Sequence, residues 1–328
     1  MEKPSEAPLL NKKYEYKRAC KSIDILIDQK KISVDRGEVF RIAMKLCDKI
    51  ARTYHLVSDF TTCYFRAEDT LIKEDFEVSM DVEPIFFARM PLADFNLYKS
   101  ERPVFHRVLD EKSAWKYCQF VDHDICNLMS YSLERPNTMP LTEYDGWHDE
   151  RSRHEVGMPY EFPGLNPPGE RYEWRAPGLQ GREDAPHTIV SSYHITHSPA
   201  PILRGELLTI LRVMWWKTKV VLGKGHEITP ILLISVRPYH FRAIEAYYNG
   251  SKFVLRYSKL VPMNLTDSTE QRQKAYNWVL RWIFSTPVGD TRTLGALRSS
   301  NPRSKPQSPA KKDSNVYSAG ECTGLGGG

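Results

Sequence analysis

The chain has 328 residues, 41% of them hydrophobic, and carries 46 basic against 41 acidic side chains for a net charge of +5. That is enough length and apolar content to bury a core without disulfide or metal staples, and so mild a positive excess permits an anionic partner without requiring one. The opening residues MEKPSEAPLL interleave Glu2, Lys3 and Glu6 and lack the apolar stretch of a secretory leader. The longest strongly apolar run, Ile228 to Val236, is interrupted by Pro230 and falls well short of the roughly 20 residues a bilayer crossing needs. Cys20, Cys47, Cys63, Cys118, Cys126 and Cys322 are scattered, with no Cys-x-x-Cys pair, the usage of reduced thiols. The expectation is a soluble cytoplasmic or nuclear protein with no membrane association.

In chain order, residues 13–29 place Tyr16, Cys20, Ile23 and Ile27 at helical spacing, and 36–54 repeat the pattern with Val39, Ile42, Ala43, Leu46 and Ile50. The polar turn Lys30-Lys31 between them predicts an N-terminal helical hairpin. Residues 58–110 mix β-branched and aromatic pieces, DFTTCYF and PIFF, and predict short helices with a strand. Ala114, Cys118, Val121, Ile125 and Met129 then share one stripe of a helix over 111–132. The first 134 residues thus form a helical and mixed region.

Residues 135–186 carry eight prolines, among them Pro167, Pro168 and Pro177, and predict a linker or insertion unable to sustain a helix or a ladder. From 187 to 290 the pattern is clearest. HTIVSSY predicts a strand, 203–222 a helix, TPILLISV, FRAIEAYY and KFVLRYSKL three strands with Asn249-Gly250 as a hairpin turn, and 269–284 a closing helix turned inward by Tyr276, Val279, Leu280 and Ile283. Helix, three-strand meander, helix is an α+β module. From 291 the chain turns to Ser, Pro, Lys and Gly, a composition that predicts a disordered tail, with Ser308-Pro309 in the form of a phosphorylation site.

Within the opening helix of the module, Leu207, Ile210, Leu211, Met214 and Val221 form the core face. Thr209, Arg212, Trp216 and Lys219 read as the opposite, outward face. Arg212, Trp216 and Lys219 are therefore the candidate binding residues, cations beside an indole that could stack on bases or dock a partner. Glu206, in the first turn, meets the positive end of the helix dipole.

Helix, three strands, helix with a first-helix glutamate is also the order of the PD-(D/E)XK nucleases, which makes Glu206, Glu245 and Lys259 candidate catalytic residues. A metal nuclease needs further carboxylates around its cation and a lysine to orient water. Here the second strand offers Glu245 without an aspartate and the third reads Arg256-Tyr257-Ser258-Lys259, so the motif is incomplete. His187, His194 and His197 precede the helix and are candidate zinc ligands with Glu206, although their spacing is not that of two ligands on one helical face. Asp122-His123-Asp124 has the form of an HD-phosphohydrolase pair, with His106 and Asp145 as partners from loops. No P-loop, GxSxG, GxGxxG or Cys-His signature is present, and no cofactor is expected.

RGELLTILRVM, ITPILLISVRPYHFRAIEAYYNGSKFVLRYSKL, FSTPVGDT and ISVDRGEVFRIAMKLCDKI together resemble a family of uncharacterised proteins from filamentous ascomycete fungi. The resemblance covers about two-thirds of the chain and implies no catalytic residue. Because some members lie near secondary-metabolite gene clusters, it implies an association with secondary metabolism. The expected function is that of a non-enzymatic accessory or interaction protein, with a protein partner preferred to nucleic acid. The alternatives are a degenerate PD-(D/E)XK-like module that binds nucleic acid without cleaving it, and a metal-dependent hydrolase centred on Glu206.

Overall fold

The structure, a computed structural model, describes residues 39–50 apart from 40, 44 and 48, then 64–98, 114–130, 146–149, 174–194, 202–220, 225–264 and 267–293. A helical stretch within 39–50 is followed by β1 (Tyr64–Phe65), α1 (Thr70–Asp75), β2 (Phe76–Met80), β3 (Phe87–Ala88), α2 (Leu92–Tyr98), α3 (Ala114–Ser130), β4 (His148–Asp149), β5 (Trp174–Gly181) and β6 (Thr188–His194). Then come β7 (Ile202–Leu203), α4 (Arg204–Val220), β8 (Ile231–Arg237), β9 (His240–Tyr248), β10 (Phe253–Tyr257), β11 (Val261–Pro262), α5 (Thr269–Ile283) and β12 (Thr286–Pro287). The class is α+β.

The core is an eight-stranded mixed sheet in the order β2-β10-β9-β8-β6-β5-β4, with β11 also pairing with β9. β2 runs parallel to β10 and β6 parallel to β8, while the other pairs are antiparallel. Helices cover both faces, so β8 reads ILLISVR with every residue buried and no polar alternation. Its odd-numbered positions, Ile231 and Leu233, join Val190, Ile244, Ala246 and Leu255 against α4 and the 39–50 stretch. Its even-numbered positions, Leu232, Ile234 and Val236, join Ile189, Tyr193, Phe241 and Ala243 against α3 and α5. Full burial of each such side chain contributes about 1.5–3 kcal/mol.

Among the described residues, the helices predicted over 36–54, 111–132, 203–222 and 269–284 are present. In α3, Cys118, Val121 and Ile125 are buried, and in α5 so are Tyr276, Val279, Leu280 and Ile283. α5 starts on a capping box: Gln271 N–H donates to Ser268 Oγ at 3.2 Å and Ser268 N–H donates to Gln271 Oε1 at 3.2 Å. The Asn249-Gly250 turn is a four-residue loop: Tyr248 pairs with Phe253, and Asn249 Oδ1 accepts from Ser251 N and Lys252 N at 2.9 Å. Gly250 at φ 91° supplies the left-handed position.

Three expectations are corrected. The proline-rich stretch does hold a ladder, because β5 lies inside it and pairs with β6; Pro177 falls in the register shift between Arg175 and Gly178, where no ladder N–H is required. The described residues also reach 293, two past the expected start of the tail at about 291: Thr291 is buried, and its carbonyl accepts from Glu227 N and Ile228 N at 2.8 and 2.9 Å. Finally, the sheet draws on all three expected regions, since β2 pairs with β10 and β5 with β6. The first helix of the expected hairpin and residues 294–328 lie outside the described residues.

Candidate functional site

Glu206 marks the site. It is fully buried in the first turn of α4, which starts directly after β7. Its Oε2 accepts from Leu203 N at 3.0 Å, the reach-back half of a capping box. Its Oε1 accepts from Ser235 Oγ at 2.6 Å and from Arg237 Nη2 and Nε at 2.6 and 3.2 Å. Burial alone would raise this carboxyl; Arg237, His194, Ser235 and the Leu203 amide outweigh it and hold the group below its usual value.

Strand register explains who else faces it. Ser235 and Arg237 continue the odd-numbered row of β8 that points at α4, and Arg242 lies opposite Ser235 on β9. Ser192 on β6 pairs in register with Ser235, and its Oγ lies 2.8 Å from His194 Nε2. Tyr257 closes the group from β10, with the Arg242 guanidinium 4.7 Å above its ring. Arg242 Nε also donates to Ser258 O at 2.9 Å. His194 is driven down to about 4, first by burial and then by Arg237, against the pull of Glu206, so it is neutral at pH 7. His194 Nδ1 and the Tyr257 hydroxyl are buried without a hydrogen-bond partner and keep capacity for a guest such as water.

Glu245, the second catalytic candidate, is on the other face. It is fully buried on β9 between Ala243 and Tyr247, both of the α3/α5 core. Its carboxylate accepts from Ile85 N at 2.9 Å and from Phe86 N at 2.6 Å, and Arg256, opposite it on β10, approaches to 3.4 Å. Burial pushes it up to about 7, against the lowering by both amides and Arg256. Lys259 lies exposed beyond the end of β10. The three candidates are not brought together. On the face of Glu206, the described side chains nearest its carboxylate are Ser235, Arg237, His194, Arg242 and Tyr257.

The zinc set also separates. His187 and His194 bracket β6, about 23 Å apart at 3.3 Å per residue, far beyond two bonds of about 2.1 Å to one ion. His187 sits at the opposite end of the sheet, its Nε2 3.1 Å from Val288 O and its ring edge-on to Phe86 and Phe87. His197 lies outside the described residues, among which no three His, Cys, Asp or Glu residues form a metal-holding group. Asp122 and Asp124, on α3, serve Tyr193 and Tyr276 as hydrogen-bond acceptors. His106 and Asp145 also lie outside the described residues.

The surface expected of Arg212, Trp216 and Lys219 loses its centre. Trp216 is only 1% exposed, in one apolar cluster with Trp174, Ala43, Leu46 and Ile50, and Thr209 is buried with its Oγ1 donating to Gly205 O at 2.7 Å. Arg212 lies half-buried with its guanidinium 5.5 Å from the Trp174 ring. Gly205 allows this approach: a Cβ there would stand 2.5 Å from Trp174 Cγ. The Lys219 side chain lies outside the described set. Arg237, Arg242 and Tyr257, which no motif pointed to, were within reach of the sequence: the two-residue link Pro238-Tyr239 pairs Arg237 with His240 and fixes which positions share a face.

No protein-family model, curated protein or solved structure matches the chain. Among the described residues, no helix is long and apolar enough to cross a membrane.

Proposed function

We propose that the chain is a non-enzymatic accessory or interaction protein whose core keeps the helix, meander, helix order of a metal nuclease without its metal chemistry. One observation carries this reading: the residues gathered around Glu206 are Arg237, Arg242, Ser235 and His194, and the second carboxylate, Glu245, lies across the sheet. A divalent cation needs oxygen ligands of net negative charge, whereas this cluster already spends its carboxylate on a guanidinium. It is a buried polar knot that ties the start of α4 to β8. A role beside fungal secondary metabolism rests on the sequence resemblance alone, and protein partners come before nucleic acid.

The test is calorimetric titration with Mg²⁺, Mn²⁺ and Zn²⁺, together with incubation on single- and double-stranded DNA and RNA, for the full chain and for Glu206→Ala. The expected outcome is no stoichiometric metal and no cleavage. Metal-dependent cleavage that disappears in a folded Glu206→Ala chain would overturn the proposal. Binding of nucleic acid without cleavage is the second reading, favoured by the net charge of +5; it requires fluorescence anisotropy to fall steeply with salt.

A further inference from the structure

Two arginines are held side by side at the end of α5. β3 pairs with β12, Phe87 opposite Pro287 and Ala88 opposite Thr286, which brings the residues after β3 beside the last turn of α5. There Met90 N donates to Arg281 O at 3.0 Å and Arg281 Nε donates to Met90 O at 2.6 Å, a clamp made in both directions. Arg89, next to Met90, holds its guanidinium 5.5 Å from the centre of the ring of Trp282, next to Arg281. Burial first, and then the Arg89 charge, push Arg281 below its usual value, so the two cations act on each other. Both side chains remain partly exposed.

No acid answers them. Among the described residues, no carboxylate forms an ion pair with Arg89 or Arg281. Their neighbours are donors as well. Asn277, one turn before Arg281, spends its Oδ1 on Gln273 Nε2 at 2.8 Å and keeps its NH2 for another acceptor. Trp282 Nε1–H is buried without a partner. The end of a helix opposes an anion, but with a charge of only about −0.5 against two full positive charges. Its carbonyls are also engaged: Arg281 O by Met90 N, and Leu280 O and Trp282 O by Phe284 N and Ser285 N at 2.9 and 3.1 Å. Two guanidinium forks select an oxyanion, and a doubly charged one answers both cations at once. Apolar surface adjoins them: Trp278, partly buried with its ring 6.2 Å from that of Trp282, and Leu92, 52% exposed two residues after Met90.

We infer that the end of α5 binds a small phosphate monoester, its dianionic head bridging the Arg89 and Arg281 guanidiniums and its ester group lying against Trp278 and Leu92. The site is on the α3/α5 side of the sheet, apart from the Glu206 cluster beneath α4. It is independent of the proposal that the chain lacks metal chemistry.

The test is calorimetric titration of the full chain, at pH 7.5 and low salt, with phenyl phosphate, phenyl sulfate, inorganic phosphate and an oligothymidylate without a terminal phosphate. Phenyl phosphate is expected to bind one to one, and about tenfold or more tighter than phenyl sulfate, which has its shape but a single charge; that ratio is the worth of one charge-assisted hydrogen bond. Inorganic phosphate, lacking the ester group, should bind several-fold more weakly than phenyl phosphate. Arg89→Gln should weaken binding about tenfold or more, whereas Lys274→Ala, on the same helix but in an exposed pair with Glu270, should leave it unchanged. If Arg89→Gln fails to fold, Arg281→Lys takes its place: it keeps a charge and a donor for Met90 O but loses the fork, and should weaken binding several-fold. No binding of phenyl phosphate, equal affinity for phenyl sulfate or for inorganic phosphate, or undiminished affinity in the folded arginine variant would overturn the inference. So would an oligothymidylate that binds as tightly as the monoester, which would make this a surface for nucleic acid.

Discussion

Two glutamates are fully buried on opposite faces of one sheet, and their protons are held in opposite ways. Glu206 receives a guanidinium, a hydroxyl and one backbone amide, and is held below its usual range. Glu245 receives two backbone amides and a more distant, partly exposed Arg256, and is pushed up to about 7. Burial is the largest influence on both. The difference lies in whether a full positive charge sits within hydrogen-bond reach, and it gives the two faces different characters: a fixed ion pair under α4, and a titratable latch under the 84–88 segment.

The comparison breaks most directly at the ion pair. Glu206→Gln leaves the buried Arg237 guanidinium without its counter-charge, a loss of about 3–5 kcal/mol, to be read from urea unfolding at pH 7.5. A loss no larger than that of a surface substitution would mean the pair is not closed in solution. Gly205→Ala, one residue away, should cost about 2–3 kcal/mol by overpacking against Trp174, although the same change inside an open helix stabilises by up to about 1 kcal/mol. The sign alone decides whether α4 is covered on that side.

Glu245→Gln sharpens the other half. The folded carboxyl at about 7 lies above its ordinary 4.5, so between those values the folded state holds a proton the unfolded state has released. Stability from this group is present in full below 4.5 and is lost as pH rises through 7. The amide still accepts from Ile85 and Phe86 but carries no buried charge, so the variant should match the parent at pH 4 and exceed it by on the order of 3 kcal/mol at pH 8. His187 and His194, both held at about 4, act in the opposite sense, losing stability as pH falls below 6.5. The difference between variant and parent, measured by thermal unfolding at each pH, cancels their contribution. Lys274→Ala, which breaks an exposed pair with Glu270 on α5, sets the baseline and should leave the unfolding curve unchanged within error.

How much of this was legible follows from the range over which each signal acts. α3, α5 and β8 to β10 were readable because periodicity is local and both sheet faces are covered. β5 was missed because Pro177 carries a strong local veto, while the register shift that accommodates it belongs to the pairing with β6. Trp216 was read as an exposed-looking indole, with the edge of the core as the alternative, because Arg212 and Lys219 flank it at helical spacing, whereas Trp174, which shares its apolar cluster, lies more than thirty residues earlier. Glu206 was singled out for its helix-end position, and that is where it lies. Its partners were not, because Arg237 and Arg242 look like strand-end charges until the hairpin register puts both beneath α4.

The pairing of β2 with β10 joins Phe76 to Phe253, and the segment after α5 bonds back to the same early region, with Val288 N donating to Phe86 O at 2.9 Å. An edge of the sheet and the seam beside it are thus closed between residues about 180 to 200 positions apart. Such contacts give a high contact order and slow folding. During synthesis at about 5–20 residues per second, β2 must wait roughly ten seconds or more for its partner strand. Until then the apolar row it will cover on β10 does not exist, and the N-terminal third of the chain depends on other means of staying out of aggregates.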